Sequence, residues 1–132
     1  MQFTKFLEEL KKLGFPPEKF AVFGSGPMAV RGMRDIQDLD IIVKDDIWAV
    51  LLKDHTPSKK NNEIKIGNIS IFNQWKPWFD DINPLIDTAD VIDGIKYVKL
   101  DYVVKWKKIM NREKDQNDIR LIEEYLKNQR IK

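Results

Sequence analysis

Apolar residues along the chain fall into two alternating rhythms. Phe3, Phe6, Leu7, Leu10 and Leu13 recur at helical spacing, which predicts an amphipathic helix from about Thr4 to Leu13. Gly14 ends it, and Pro16-Pro17 blocks its continuation. Phe20-Ala21-Val22-Phe23 is continuously apolar, the pattern of a short strand buried on both faces. Gly24-Ser25-Gly26 is a turn, and Pro27 suits the first position of a short helix to about Gly32. Leu39 to Lys44 alternates and reads as a second strand, followed by a helix opened by Asp45-Asp46 with Trp48, Leu51 and Leu52 as its apolar stripe. His55 to Asn62 is polar and reads as an exposed loop.

Farther on, Glu63 to Ile66 and Ile69 to Trp75 flank Gly67-Asn68, and Val91-Ile92 and Ile95 to Val98 flank Asp93-Gly94, so two hairpins are expected. Pro84 to Ala89 suggests a short helix. From Leu100 the period becomes helical, through Val103, Val104, Trp106, Ile109 and Met110, and a last helix is expected from about Asp115 to Lys127. No repeat, linker or low-complexity stretch interrupts the order. Strands mixed with helices predict an α/β or α+β class: one domain over residues 1–132, built on a small mixed β-sheet flanked by helices.

Composition narrows this picture. Hydrophobic residues make up 42% of the 132, enough for a core, and four Trp argue for a packed fold. Twenty-three basic residues nearly cancel 21 acidic ones, leaving +2. Net charge therefore does not indicate a nucleic-acid binder, and any electrostatic partner must be met by a local patch. There are no cysteines, which removes disulfides, zinc–thiolate sites and thiol nucleophiles. Met1 to Leu13 mixes Lys and Glu with apolar residues, unlike a signal peptide, and no apolar run is long enough for a bilayer. A cytoplasmic protein without membrane contact is the expectation.

The chemistry concentrates in two places. Asp38 and Asp40 lie on one face of the second strand, about 7 Å apart along the backbone, and Leu39, Ile41 and Val43 take the other face. Two such carboxylates repel unless a cation joins them, and magnesium takes hard oxygen ligands. Upstream, Gly24 lets a ligand approach the backbone, Ser25 offers a hydroxyl, and the following helix start offers N–H groups. Either feature alone is explained by a plain turn or a polar strand edge. Together they place phosphate-binding and metal-binding groups at one end of adjacent strands.

Val22-Phe23-Gly24-Ser25, twelve further residues, and then Asp38-Leu39-Asp40-Ile41 resemble the signature of the nucleotidyltransferase superfamily. Ala29-Val30-Arg31-Gly32 is similar to its minimal members. So is the stretch from Lys105-Trp106-Lys107-Lys108 through Asn111 to Asp115, with Asp118-Ile119. The resemblance implies a magnesium-dependent enzyme that moves NMP from an NTP to a hydroxyl of a protein, an RNA end or a small molecule, releasing pyrophosphate. It implies that Gly24 and Ser25 cradle phosphates and that Asp38 and Asp40 are catalytic ligands for one or two Mg²⁺ ions. It further implies that Lys105 meets the nucleotide, and Arg31, which lies between the two motifs, is a second candidate nucleotide contact. A separate helical protein, or a second copy of the chain, is the partner it suggests.

One part of that pattern is missing. The strand Ile69-Ser70-Ile71-Phe72-Asn73 carries Ser70 and Asn73 where a third carboxylate is expected, with Glu63 and Asp80-Asp81 as acids nearby. A catalytically impaired nucleotide-binding module acting with a partner is therefore the alternative. Arg34, Lys107 and Lys108 are further candidate phosphate contacts, against a plain solvated face. Arg112 to Asp115 reads as a salt-bridged helix junction with Asp118 in the first turn of the last helix. His55 reads as surface, and Trp75 and Trp78 as packing under a loop rather than stacking on a base.

Overall fold

The computed structural model describes residues 2–131. Helix α1 (Gln2–Leu13) ends at Gly14, and a single 3-10 turn (Pro17–Lys19) leads into β1 (Phe20–Phe23). Then come α2 (Gly26–Ala29), β2 (Leu39–Val43), α3 (Asp45–Leu51), β3 (Ile64–Ile66) and β4 (Ile69–Phe72). Helix α4 (Asn83–Asp87), β5 (Asp90–Ile92), β6 (Ile95–Tyr97), α5 (Leu100–Met110) and α6 (Glu113–Ile131) complete the chain. Both expected hairpins form, β3–β4 and β5–β6, each antiparallel.

The six strands make one mixed sheet in the order β3-β4-β2-β1-β6-β5. At its centre β1 runs antiparallel to β2, while β2–β4 and β1–β6 are parallel. The strand with four consecutive apolar residues, β1, is buried throughout, as a central strand covered on both faces must be. Alternation divides the side chains between two cores. Val22, Leu39, Ile41, Ile69 and Ile71 face the layer of α1 and α3, where Phe6, Leu10 and Trp48 meet them. Ala21, Phe23 and Ile42 face the layer of α4, α5 and α6, through Leu85, Val103 and Ile122. Each Val, Leu, Ile or Phe side chain among them, when fully withdrawn from water, contributes roughly 1.5–3 kcal/mol.

Two local devices fix the helices to this frame. Glu9 on α1 accepts hydrogen bonds from the backbone N–H (3.2 Å) and side-chain amide (2.9 Å) of Asn68, clipping α1 to the β3–β4 turn. Between α5 and α6, Asn111 takes a left-handed conformation (φ 50°) and stops α5. Asp115 then accepts hydrogen bonds from the Arg112 backbone N–H (3.0 Å) and guanidinium (2.6 and 3.1 Å), half of a capping box for α6. The salt-bridged junction expected from sequence is present, with Asp115 in the third helical position rather than at the cap. No helix among the described residues is long and apolar enough to cross a membrane.

Candidate functional site

The register of β1 against β2 builds the site. Phe23, the last residue of β1, pairs with Asp40, so the Gly24-Ser25 turn leaves the sheet beside the start of β2. Asp40 lies on that strand, whereas Asp38, expected on the same strand face, is exposed in the bend just before it. Gly24 has φ +63°, and a Cβ there would lie 2.6 Å from Asp40 Oδ2. Only glycine lets turn and carboxylate close up this far. Gly24, Ser25, Asp38 and Asp40 thus line one cleft of about 370 Å³, floored by Trp75 and Trp106 and closed on its far side by α5 and the start of α6. Phe23 packs against both tryptophans with tilted rings (4.6 and 5.6 Å between ring centroids).

The acidic end of this cleft is unpaired. None of the ion pairs among the described residues involves Asp38 or Asp40. Burial, followed by the charges of Asp38 and Glu63, pushes the Asp40 carboxyl up to about 7. The opposite end is a closed network. Asp118, buried on α6, accepts Arg34 Nε (2.7 Å) and NH2 (3.0 Å) and Lys107 Nζ (2.9 Å). The same two cations donate to Ser25 Oγ, at 2.7 Å from Arg34 and 3.2 Å from Lys107. Burial alone would raise Asp118, but the hydrogen bonds from Arg34 and Lys107 outweigh it and hold it below the usual range. Lys107, only 2% exposed, is pushed down by burial in spite of Asp118. Its ammonium also sits 5.1 Å from the Trp106 ring centroid.

Of the residues singled out from sequence, Gly24, Ser25, Asp38 and Asp40 come together, while Arg31 and Lys105 lie elsewhere. Arg31 turns away, donating to the Pro27 carbonyl (2.8 Å) and Asp90 (3.0 Å). Lys105 is exposed, with its ammonium 5.7 Å from the Phe79 ring centroid. Their places in the cleft are taken by Arg34 and Lys107. Asp118, expected only as a first-turn charge, is the anion that organises both. Helix α2 is a single turn of four residues, so the polar groups at this end of the cleft are the Ser25 hydroxyl and the two cations rather than a helix dipole. Trp75 is buried as expected, and Trp78 is half-buried.

Ser70, the residue paired with Asp40 on β4, is buried and cannot serve as an acid. Glu63, just before β3, is near enough for its charge to raise Asp40, and its carboxylate accepts from Asn61 (3.2 Å). Asp80 and Asp81 line a different depression, with Asp45 and Asn73. No group of three or more carboxylates or histidines suited to a metal occurs among the described residues. The donor set nonetheless fits one magnesium ion. Asp38 and Asp40 supply hard oxygens beside a glycine cradle, and magnesium habitually uses one or two carboxylates, completing its octahedron with water and phosphate oxygens. A second ion held by this chain alone would lack a further carboxylate. No family model matches the chain, and neither the curated proteins nor the solved structures provide a match to it.

Proposed function

We propose that the chain is a magnesium-dependent nucleotidyltransferase that binds an NTP in the cleft and transfers NMP to a hydroxyl acceptor. The observation that carries this reading is one cleft with two chemically opposite ends. Asp38 and Asp40 stand unneutralised at one end, and the Ser25 hydroxyl with Arg34 and Lys107 at the other. A magnesium triphosphate is complementary to both. It also agrees with the resemblance of the Gly24-Ser25 and Asp38-x-Asp40 motifs to the nucleotidyltransferase superfamily.

In this reading Ser25, Arg34 and Lys107 hold the β- and γ-phosphates, and Gly24 keeps the turn close enough for the triphosphate to span the cleft. Asp38 and Asp40 hold magnesium, which when bound neutralises phosphate charge and makes the α-phosphorus more electrophilic. The acceptor oxygen forms a bond to the α-phosphorus, and the bond from that phosphorus to the oxygen bridging to the β-phosphate breaks. Pyrophosphate leaves, and the acceptor's proton passes to water in the open cleft.

Calorimetric titration with each NTP, with and without magnesium, tests the binding step. Binding that needs magnesium and disappears in a folded Asp38→Ala/Asp40→Ala double variant is expected; unchanged binding in that variant removes the pair from the mechanism. One observation favours a second reading. Ser70 stands opposite Asp40 where the superfamily pattern has an acid, which supports a nucleotide-binding module that needs a partner for chemistry. Incubating the pure chain with labelled NTP in heat-treated and in native cell lysate separates the two, since an enzyme active alone labels an acceptor in both, whereas a module that needs a folded partner does so only in the native lysate.

A further inference from the structure

A second depression, about 640 Å³ in volume, adjoins the cleft across a shared wall of Trp75, Trp106 and Arg112. Its size falls in the range of ligand pockets generally, roughly 300–1,000 Å³. Its lining differs in kind from that of the cleft. Lys59, Lys60 and Lys76 rim it, none of them in an ion pair among the described residues, and no carboxylate lines it. Phe72 and the half-buried Trp78 supply aromatic surface, and Asn61 and Gln74 supply amides. The indole N–H groups of Trp75 and Trp106, in the shared wall, have no acceptor in the free protein.

We propose that this groove binds the end of a single-stranded nucleic acid and presents its terminal hydroxyl to the cleft, so that the acceptor is a polynucleotide. The inference rests on the reading of the cleft as an NTP site. Lysines without an ion-pair partner attract phosphodiesters, even though Lys76 also borders the depression of Asp45, Asp80 and Asp81, and an aromatic face among them stacks on unpaired bases. An acidic peptide would answer the lysines but not the aromatic surface, and a duplex keeps its bases stacked away from an indole. The near-neutral net charge is no obstacle, because a local patch suffices and the groove lining carries three lysines and Arg112 with no carboxylate.

The test is fluorescence anisotropy of 5′-labelled 12-residue oligo(A) and oligo(dA) over a range of salt, with blunt duplex and polyglutamate as competitors. Either single strand should bind, with a slope of log affinity against log salt of about −2, the value for three lysine–phosphate contacts on single strands. Trp78→Ala should weaken binding about tenfold or more, as loss of a stacking platform does. Lys59→Glu/Lys60→Glu, in an exposed loop, should weaken it further with an unchanged melting temperature. Effective competition by duplex or polyglutamate, or full affinity in the lysine double variant, overturns the proposal. The RNA and DNA arms decide which sugar is preferred. The Asp38→Ala/Asp40→Ala variant should lose magnesium–ATP and keep the oligonucleotide. A wild-type chain that binds magnesium–ATP but no strand overturns the acceptor assignment alone. One that binds a strand but no magnesium–ATP overturns the NTP reading, and the acceptor role with it.

Discussion

The two ends of the cleft differ in how they stand without a ligand. At the basic end the cations that hold Ser25 are answered: Asp118 grips Arg34 with two hydrogen bonds and Lys107 with a third, and both share the Ser25 hydroxyl. At the acidic end Asp40 is pressed against Gly24, beside Asp38, with no cation in contact. The first arrangement is complete as a piece of protein architecture and holds its donors in place before anything arrives. The second is unfavourable until a cation joins it. A half-buried carboxylate left without a cation, beside the exposed Asp38, points to a ligand more strongly than the satisfied network does, since the fully buried charges among the described residues, Lys107, Asp115 and Asp118, are all paired.

Breaking the satisfied end should cost most. Lys107→Met leaves Asp115 and Asp118 buried with one cation fewer each, and a loss of about 3 kcal/mol is expected from denaturant midpoints. The acidic end should respond with the opposite sign. The folded chain holds the Asp40 proton to about pH 7, against the ordinary 3.8, so the folded state binds that proton more tightly than the unfolded one. The contribution to stability is full below about pH 4 and is lost as pH rises through 7. Asp40→Asn cannot ionise. In metal-free buffer at pH 8 it should be more stable than wild type by about 2 kcal/mol, half of the ~4 kcal/mol such a shift represents, since cleft water screens the charge. At pH 4 the two proteins should match, and the Asn variant should lose magnesium–NTP binding at every pH.

Gly24→Ala sharpens the contrast at closer range. A left-handed alanine costs about 1–2 kcal/mol, and the added Cβ meets Asp40 Oδ2. In an Asp40→Ala background the penalty should shrink, a non-additivity that equilibrium unfolding of the four proteins measures. The smallest effect concerns the lysine that sequence favoured. Lys105→Ala should leave magnesium–NTP affinity within about twofold, whereas Arg34→Ala should lower it about tenfold, the weight of a charge-assisted hydrogen bond.

The contrast between Lys105 and Lys107 shows where sequence reasoning reached and where it stopped. Period-two alternation was enough to put Asp40 on the face of β2 opposite Leu39 and Ile41, although Asp38 lies in the bend just before the strand rather than on it, and glycine chemistry was enough to put a turn upstream. Both are local properties. Lys107 needed a comparison across elements. It lies on the stripe of Val103, Trp106 and Met110, a lysine on an apolar face, and Asp115 and Asp118 lie on the stripe of Ile122. A cation and two anions on facing buried stripes must pair, and that signal was present in the spacing of both helices. The short helix after Gly26 was legible, but its reduction to one turn was not, because the long connection to β2 carries no strong periodicity. The pairing of Ser70 with Asp40 depended on β4 lying beside β2, which no local pattern reveals.

The partnership of Phe23 with Asp40 across the two central strands has a consequence for how the acidic end comes into being. Those strands are the innermost of the sheet and the last that local opening can reach. That pairing sets the turn against the carboxylate, so the cradle arises only with the complete domain and vanishes when it unravels. Amide exchange at Asp40 should therefore slow to the rate of global unfolding, and a truncated or half-folded chain should have no partial affinity for a cation.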